Sequence, residues 1–253
     1  MPNVTLEKGL IVLEAMASDA KEFSLSELSE ITGLSRSHAC KLLATLVSCG
    51  YVVKNSETRN YQIGLHSLEL SASILDRMEV RRVGLTYLHD LSDQLKSPSY
   101  IGLLHQCRVL TVETAYPAGV YNANSPGFGS TMLIYDSAMG WALLASMSVE
   151  KRREYIPENI NLIEELAEVE QSGVAVIQRP RGEHPTVVGV AAVVKNYQGT
   201  VIAALGASTS KKEWDDGIDQ GKFKNVVVKA ASGLSFALGY AAGRLVLEGL
   251  KNE

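Results

Sequence analysis

The stretch SLSELSEITGLSRSHACKLLATLVSCGY, residues 24–51, decides how the first quarter of the chain folds. It opens on Ser24-Leu-Ser-Glu27, a capping box in which the Ser24 hydroxyl accepts from the Glu27 amide while the Glu27 carboxylate reaches back. Leu25, Leu28 and Ile31 form the inward stripe of the helix that follows. Gly33 stops it, because a residue without Cβ takes the left-handed turn that ends many helices. Leu34 fills the turn and Ser35 caps the next helix. There Ala39, Leu42, Leu43 and Leu46 share one arc, while Ser37, Lys41, Ala44, Thr45 and Ser48 lie opposite with His38 at the edge. Cys49-Gly50 closes it.

Upstream, Leu6, Leu10, Leu13 and Ala17 recur at helical spacing. Downstream, Tyr51-Val-Val-Lys54 and Asn60-Tyr-Gln-Ile63 flank the polar turn Asn55-Ser-Glu-Thr-Arg59, which predicts a β-hairpin. Three helices and a hairpin make residues 1–64 a winged helix-turn-helix. Helical spacing returns in Leu68, Leu70, Ile74, Leu75 and Met78, giving a linker helix over 65–79. The remainder, 80–253, reads as a second, mixed α+β domain. A helix starts near Val83, strands follow over 100–104 and 109–114, and helices over 137–147 and 162–171. Strands over 187–194 and 201–207 are joined through Asn196-Tyr-Gln-Gly199, a hairpin signal, and a long helix over about 224–250 ends the chain.

Length and composition agree with two domains. The chain has 253 residues, 46% hydrophobic and 21% charged, enough to bury real cores. No apolar run is long enough for a membrane helix, and the N-terminus lacks a signal-peptide pattern, so a cytoplasmic location is expected. Three cysteines without Cys-x-x-Cys spacing predict neither a disulfide framework nor a zinc site; Cys40 and Cys49 read as small apolar filler.

The net charge of −4 argues against nucleic acid until its distribution is considered. Between residues 33 and 62, Arg36, Lys41, Lys54 and Arg59 stand against Glu57 alone. A helix entering the major groove presents only a few side chains near its N-terminus to the base edges. Ser35, Arg36, Ser37, His38 and Lys41 hold that position, with Thr45 one turn on. Arg36 has the fork that matches guanine, and Lys41 suits a phosphate. Helix N-terminal amides at Ser24 and Ser35 add phosphate donors, and Lys54 and Arg59 on the hairpin position rather than specify. The alternative, a winged helix used only for protein contacts, needs no such concentration of positive charge.

These residues carry a resemblance. Leu10-Ile-Val-Leu-Glu-Ala15, Leu25-Ser-Glu-Leu28, Gly33-Leu-Ser-Arg-Ser37 through Lys41-Leu-Leu-Ala-Thr-Leu46 to Gly50-Tyr51, and Tyr61-Gln-Ile-Gly-Leu65 are together similar to the IclR family of bacterial transcription regulators. So are Ser137-Ala-Met-Gly-Trp-Ala-Leu-Leu-Ala145, Gly189-Val-Ala-Ala-Val-Val194 and Val201-Ile-Ala-Ala-Leu-Gly-Ala-Ser208 in the second half.

The resemblance implies a GAF-like C-terminal domain binding a small effector, a homodimer or dimer of dimers, a palindromic operator on double-stranded DNA, and repression relieved or altered by effector. It places an effector site at Tyr121, Tyr135, Ala138, Met139, Trp141, Val176, Gly189, Gly206 and Ser208. Trp141 stands where the family has lysine and Val193 where it has proline; apolar Val176, Gly189 and Gly206 stand where members carry polar groups. The expected ligand is therefore aromatic or amide-like rather than a small carboxylate.

An enzyme reading finds little. Ser208-Thr-Ser-Lys211 fits Ser-x-x-Lys, but Ser18-Asp-Ala-Lys21 fits it too, and the companion motifs of a Ser-Lys hydrolase are missing. Pro126-Gly-Phe-Gly129 lacks the Gly-Lys-Ser of a phosphate loop, and the histidines show no metal spacing. No cofactor or metal is implied.

Overall fold

The computed structural model describes residues 2–17, 21–119, 126–181 and 184–241. The chain divides into two compact units, Met1–Arg77 and Met78–Glu253.

The first unit runs α1 (Val4–Ala17), α2 (Leu25–Thr32), α3 (Arg36–Ser48), β1 (Val52–Lys54), β2 (Tyr61–Ile63) and α4 (His66–Leu75). The Ser24–Glu27 capping box is formed at both ends, and Gly33 ends α2 with φ of 68°. β1 and β2 pair antiparallel with Val52 opposite Ile63. Phe23 makes a single antiparallel bridge to Tyr61, which ties the segment before α2 to the wing. Phe23, Leu28, Leu43 and Val52 centre a core shared by all three helices and the hairpin.

Three expectations change here. On α1 the inward residues are Gly9, Val12 and Met16, while Leu6 is 63% and Leu10 51% exposed. That helix is apolar on two faces, and the core takes only one. On α2, Leu28 is buried but Ile31 is exposed, since an eight-residue helix meets the core over little more than one turn. Cys40 and Cys49 are exposed rather than packed, as is Cys107.

The second unit is a six-stranded antiparallel sheet in the order β5-β4-β3-β8-β7-β6. Its strands are β3 (Ser99–His105), β4 (Arg108–Ala115), β5 (Thr131–Leu133), β6 (Ala175–Arg181), β7 (His184–Lys195) and β8 (Val201–Ser210). Its helices are α5 (Glu79–Leu95), α6 (Ala138–Ala145), α7 (Val149–Arg152), α8 (Ile163–Ser172), α9 (Lys211–Asp216) and α10 (Gln220–Ala237). One face packs on α5 and α10 through Leu88, Ile101, Leu205 and Leu234. The other packs on α6 and α8 through Met139, Leu166, Ala191 and Ala204. This is the α+β architecture expected, with β7 and β8 joined by the Asn196–Gly199 turn. α10 ends at Ala237, with Gly239 following in the left-handed region, and residues 242–250 of the expected helix lie outside the described residues. β6 is a strand that the sequence reading did not identify.

Among the described residues, no helix is long and apolar enough to cross a membrane.

Candidate DNA interface and ligand pocket

In the first unit, α3 turns one face to the core through Ala39, Leu42 and Leu43. Ser35, Arg36, Ser37, Lys41 and Thr45 are exposed on the other side, with His38 half-buried. The Ser35 hydroxyl accepts from the His38 amide at 3.3 Å. The first turn of α3 has no acid, so its N-terminal dipole stays open to a phosphate.

At α2 the situation is reversed. The Ser24 amide donates to Glu27 Oε2 at 2.8 Å, and the Glu27 amide donates to Ser24 Oγ at 3.2 Å. The backbone amide of Ser24, its hydroxyl, and Lys21 all hold the Glu27 carboxyl below its ordinary range. The expected phosphate donor at Ser24 is thus occupied by the helix's own carboxylate, and Ser24 is a cap. Thr45 is also engaged, its hydroxyl donating to the Lys41 carbonyl at 3.2 Å.

The wing is tightly organised. Lys54 Nζ lies 4.9 Å from the centre of the Tyr61 ring. Asn55 Oδ1 accepts from the amides of Glu57 and Thr58 at 2.9 and 3.2 Å. Arg59 has φ of 64°, a left-handed conformation that costs a residue with a Cβ roughly 1 kcal/mol. Glu22, which composition alone gave no reason to single out, accepts from Asn55 Nδ2 at 2.7 Å and from the Thr58 hydroxyl at 2.8 Å.

In the second unit, a pocket of about 80 Å³ opens between α6 and the face of β3, β8, β7 and β6. Met139 and Ile177 supply apolar wall, and Gly189 and Gly206 form its floor. A Cβ on Gly206 would sit 2.7 Å from the Val190 carbonyl oxygen, so the glycine is required by how closely β7 and β8 approach. Tyr100 Oη and Ser208 Oγ are hydrogen-bonded at 2.8 Å across adjacent strands. At the rim, Arg179 Nε donates to Asp136 Oδ1 at 2.7 Å, both side chains half-exposed.

The N-terminus of α6 opens onto the same space, capped by Ser137, whose hydroxyl accepts from the Gly140 amide at 3.0 Å. Gly140 holds this turn closed: a Cβ there would lie 1.8 Å from the Ile134 carbonyl oxygen.

The structure gathers Ala138, Met139, Gly189, Gly206 and Ser208 around this pocket and leaves three expected residues out. Trp141, 8% exposed, packs toward α8 and its indole N–H donates to the Tyr135 carbonyl at 2.9 Å. Tyr135 therefore serves through its backbone, and its ring lies against the α6 cluster. Val176 packs with the α5–α10 cluster, because on β6 it is Ile177 and Arg179 that face α6. Tyr121 lies outside the described residues. Tyr100, Asp136, Ile177 and Arg179 were not anticipated. Alternation along Tyr100-Ile-Gly-Leu-Leu104 could have flagged Tyr100, but without β6 nothing pointed to Arg179. Its guanidinium removes the reason for disfavouring an acidic ligand.

Comparison with known proteins fits both units. The IclR helix-turn-helix domain model matches residues 5–56, and the bacterial transcriptional regulator IclR C-terminal model matches residues 72–236. The HTH-type transcriptional regulator XynR of Escherichia coli (strain K12) is 25% identical, covering 94% of this chain and 98% of its own. The p-hydroxybenzoate hydroxylase transcriptional activator of Acinetobacter baylyi is 27% identical over 79% of each chain. Among solved structures, an IclR homolog from Microbacterium hydrocarbonoxydans complexed with 4-hydroxybenzoate superposes with a TM-score of 0.76 at 20% identity, covering 92% of this chain and 98% of that one. With one family model spanning the helix-turn-helix and another most of the second unit, the chain belongs to the IclR family of bacterial transcriptional regulators.

Proposed function

We propose that the protein is a ligand-responsive repressor in which residues 1–64 read a palindromic operator, 65–79 link, and 80–253 bind the effector. Ser35, Arg36, Ser37, His38 and Lys41 on α3 and Arg59 on the wing are the proposed DNA contacts. The exposed apolar residues of α1 (Val4, Leu6, Leu10, Ile11) and α4 (Leu68, Leu70, Ile74) support assembly as a homodimer or dimer of dimers.

The observation that carries the effector reading is a largely apolar pocket with the Arg179 guanidinium at its rim and a helix N-terminus at its base. Apolar walls suit a ring, the Tyr100–Ser208 hydroxyl pair suits a polar substituent on it, and Arg179 suits an acidic group. We therefore propose a small aromatic acid. The pocket is about half the ~150 Å³ that accommodates benzene. In this reading the pocket widens as a ring enters, the exposed Arg179–Asp136 pair parts, and the ligand's own carboxylate replaces Asp136 on the guanidinium.

The test is a thermal-shift panel of 4-hydroxybenzoate, its amide and small dicarboxylic acids, repeated on Arg179→Ala. The acid should raise the unfolding midpoint by several degrees at saturating concentration, and Arg179→Ala should abolish the preference for acid over amide. Stabilisation by dicarboxylic acids alone would overturn the ring. Binding to DNA and effector must be reciprocally coupled, so operator should change effector affinity by the factor by which effector changes operator affinity.

A further inference from the structure

The wing turn contains two features that a simple basic hairpin does not need. One is Arg59 in the left-handed region, where L-residues other than Asn and Asp are uncommon. The other is a carboxylate, Glu22, beside a surface meant for a polyanion. Glu22 is not on the hairpin. It precedes Phe23, whose amide and carbonyl exchange 2.8 Å hydrogen bonds with Tyr61 of β2 and whose side chain is 2% exposed. Its backbone is therefore fixed against the wing by the core itself.

From there each Glu22 oxygen takes one donor from the turn, Oε1 from Asn55 Nδ2 and Oε2 from the Thr58 hydroxyl. The same two residues define the turn. Asn55 receives the Arg59 amide on its carbonyl at 3.1 Å and pairs its own amide with the Asn60 carbonyl at 2.8 Å. Thr58 Oγ1 accepts from the Asn60 amide at 3.3 Å. Arg59 thus directly follows Thr58 and donates its amide to Asn55, the two residues whose side chains end on Glu22. Donation from Asn55 first, then Thr58, holds the Glu22 carboxyl below its ordinary range, so it stays an acceptor at neutral pH.

We propose that Glu22 is a positioning residue for DNA binding: it clamps the Asn55–Asn60 turn so that Arg59 is held in its left-handed conformation and presented to the duplex. The proposal rests on the reading of Arg59 as a DNA contact. A preformed turn removes the ordering cost that a loose hairpin would incur on binding. A negative charge near the phosphates is retained because its effect on the turn outweighs its repulsion.

A double-mutant cycle in the full-length protein separates these effects. Affinity for a random-sequence 30-base-pair duplex is measured by fluorescence anisotropy across a salt series for wild type, Glu22→Ala, Arg59→Ala and the double variant. Arg59→Ala should weaken binding about five- to tenfold and lower the salt slope by about one. Glu22→Ala should weaken binding about threefold or more when Arg59 is present. In the Arg59→Ala background it should leave binding unchanged or tighten it, because only the repulsion remains to be removed.

Tighter or unchanged binding by Glu22→Ala in both backgrounds overturns the proposal, leaving Glu22 a solvated acid. Equal weakening in both overturns it too, since general damage to the fold acts without regard to Arg59. An unaltered affinity and salt slope in Arg59→Ala itself would sink the DNA-contact reading of that residue and this proposal with it. If Glu22→Ala does not fold, Thr58→Val removes one of the two donors and is read in the same cycle. Arg59→Gly supplies an independent check: it should raise the unfolding midpoint by a few degrees through relief of the strained φ while losing affinity as Arg59→Ala does.

Discussion

Arg36 and Lys41 are both exposed on α3, five positions apart and so on different sides of its open surface, and their chemistry suits them to different work. Arg36, in the first turn, has the planar fork that discriminates a guanine edge; Lys41 is a point charge suited to phosphate. Arg36→Ala should reduce affinity for a duplex selected on the wild type by about 1–3 kcal/mol and affinity for random DNA by much less. Lys41→Ala should reduce both alike and flatten the salt dependence by about one unit. Filter binding on the two duplexes checks this, and equal losses from both substitutions would reject the division. The exposed arc of α3 could be read from sequence because helical periodicity sorts residues through large angles. The pocket is less legible because a strand sorts them by a single step: Val176 and Ile177 are neighbours, and only the pairing of Ile177 with Gly189 decides which one faces the pocket.

Among the elements, α1 shows how far periodicity reaches. Leu6, Leu10, Leu13 and Ala17 are spaced as a helix face, and so are Gly9, Val12 and Met16. The sequence identifies the helix, but the choice of face belongs to Leu28, Leu43 and Phe23, which form the surface it meets. Caps are more local and so more legible. The Ser24–Glu27 box is legible in the sequence alone, and Ser210–Glu213 at the start of α9 obeys the same rule. Hydrogen bonds from the Thr209 hydroxyl at 2.8 Å, first, and from Ser210 hold the Glu213 carboxyl below its ordinary range. The folded state therefore resists protonation, so the contribution is present at neutral pH and is lost as pH falls below about 4 through the lowered folded value. Glu213→Gln should cost about half a kcal/mol at pH 7, the exposed position screening the remainder. The difference from wild type should close at acid pH in denaturant unfolding; a gap that persists at pH 3 would refute the assignment.

For the whole molecule, the exposed apolar faces of α1 and α4 predict that the chain is not a monomer. Leu10 is 51% exposed and Leu68 59%, and α4 buries no residue at all within the chain. Covering what remains exposed of one such leucine is worth about 1–1.5 kcal/mol. A Leu10→Glu, Leu68→Glu double variant should shift the sedimentation coefficient toward the monomer at micromolar concentration while leaving thermal unfolding of the second unit nearly unchanged; wild-type sedimentation as a monomer would overturn the assembly.

The hydrogen bond between Tyr100 and Ser208 joins residues 108 positions apart; β3 pairs with β4 next to it in sequence, but it joins the other half of the sheet only by pairing with β8. At roughly 5–20 residues per second of synthesis, β3 waits about 5–20 s for its neighbour to leave the ribosome. The helix-turn-helix, whose core is complete within the first 77 residues, does not wait. During translation the chain therefore passes through a stage in which a finished helix-turn-helix precedes the pocket of the second unit, and an interrupted message would release that head without it.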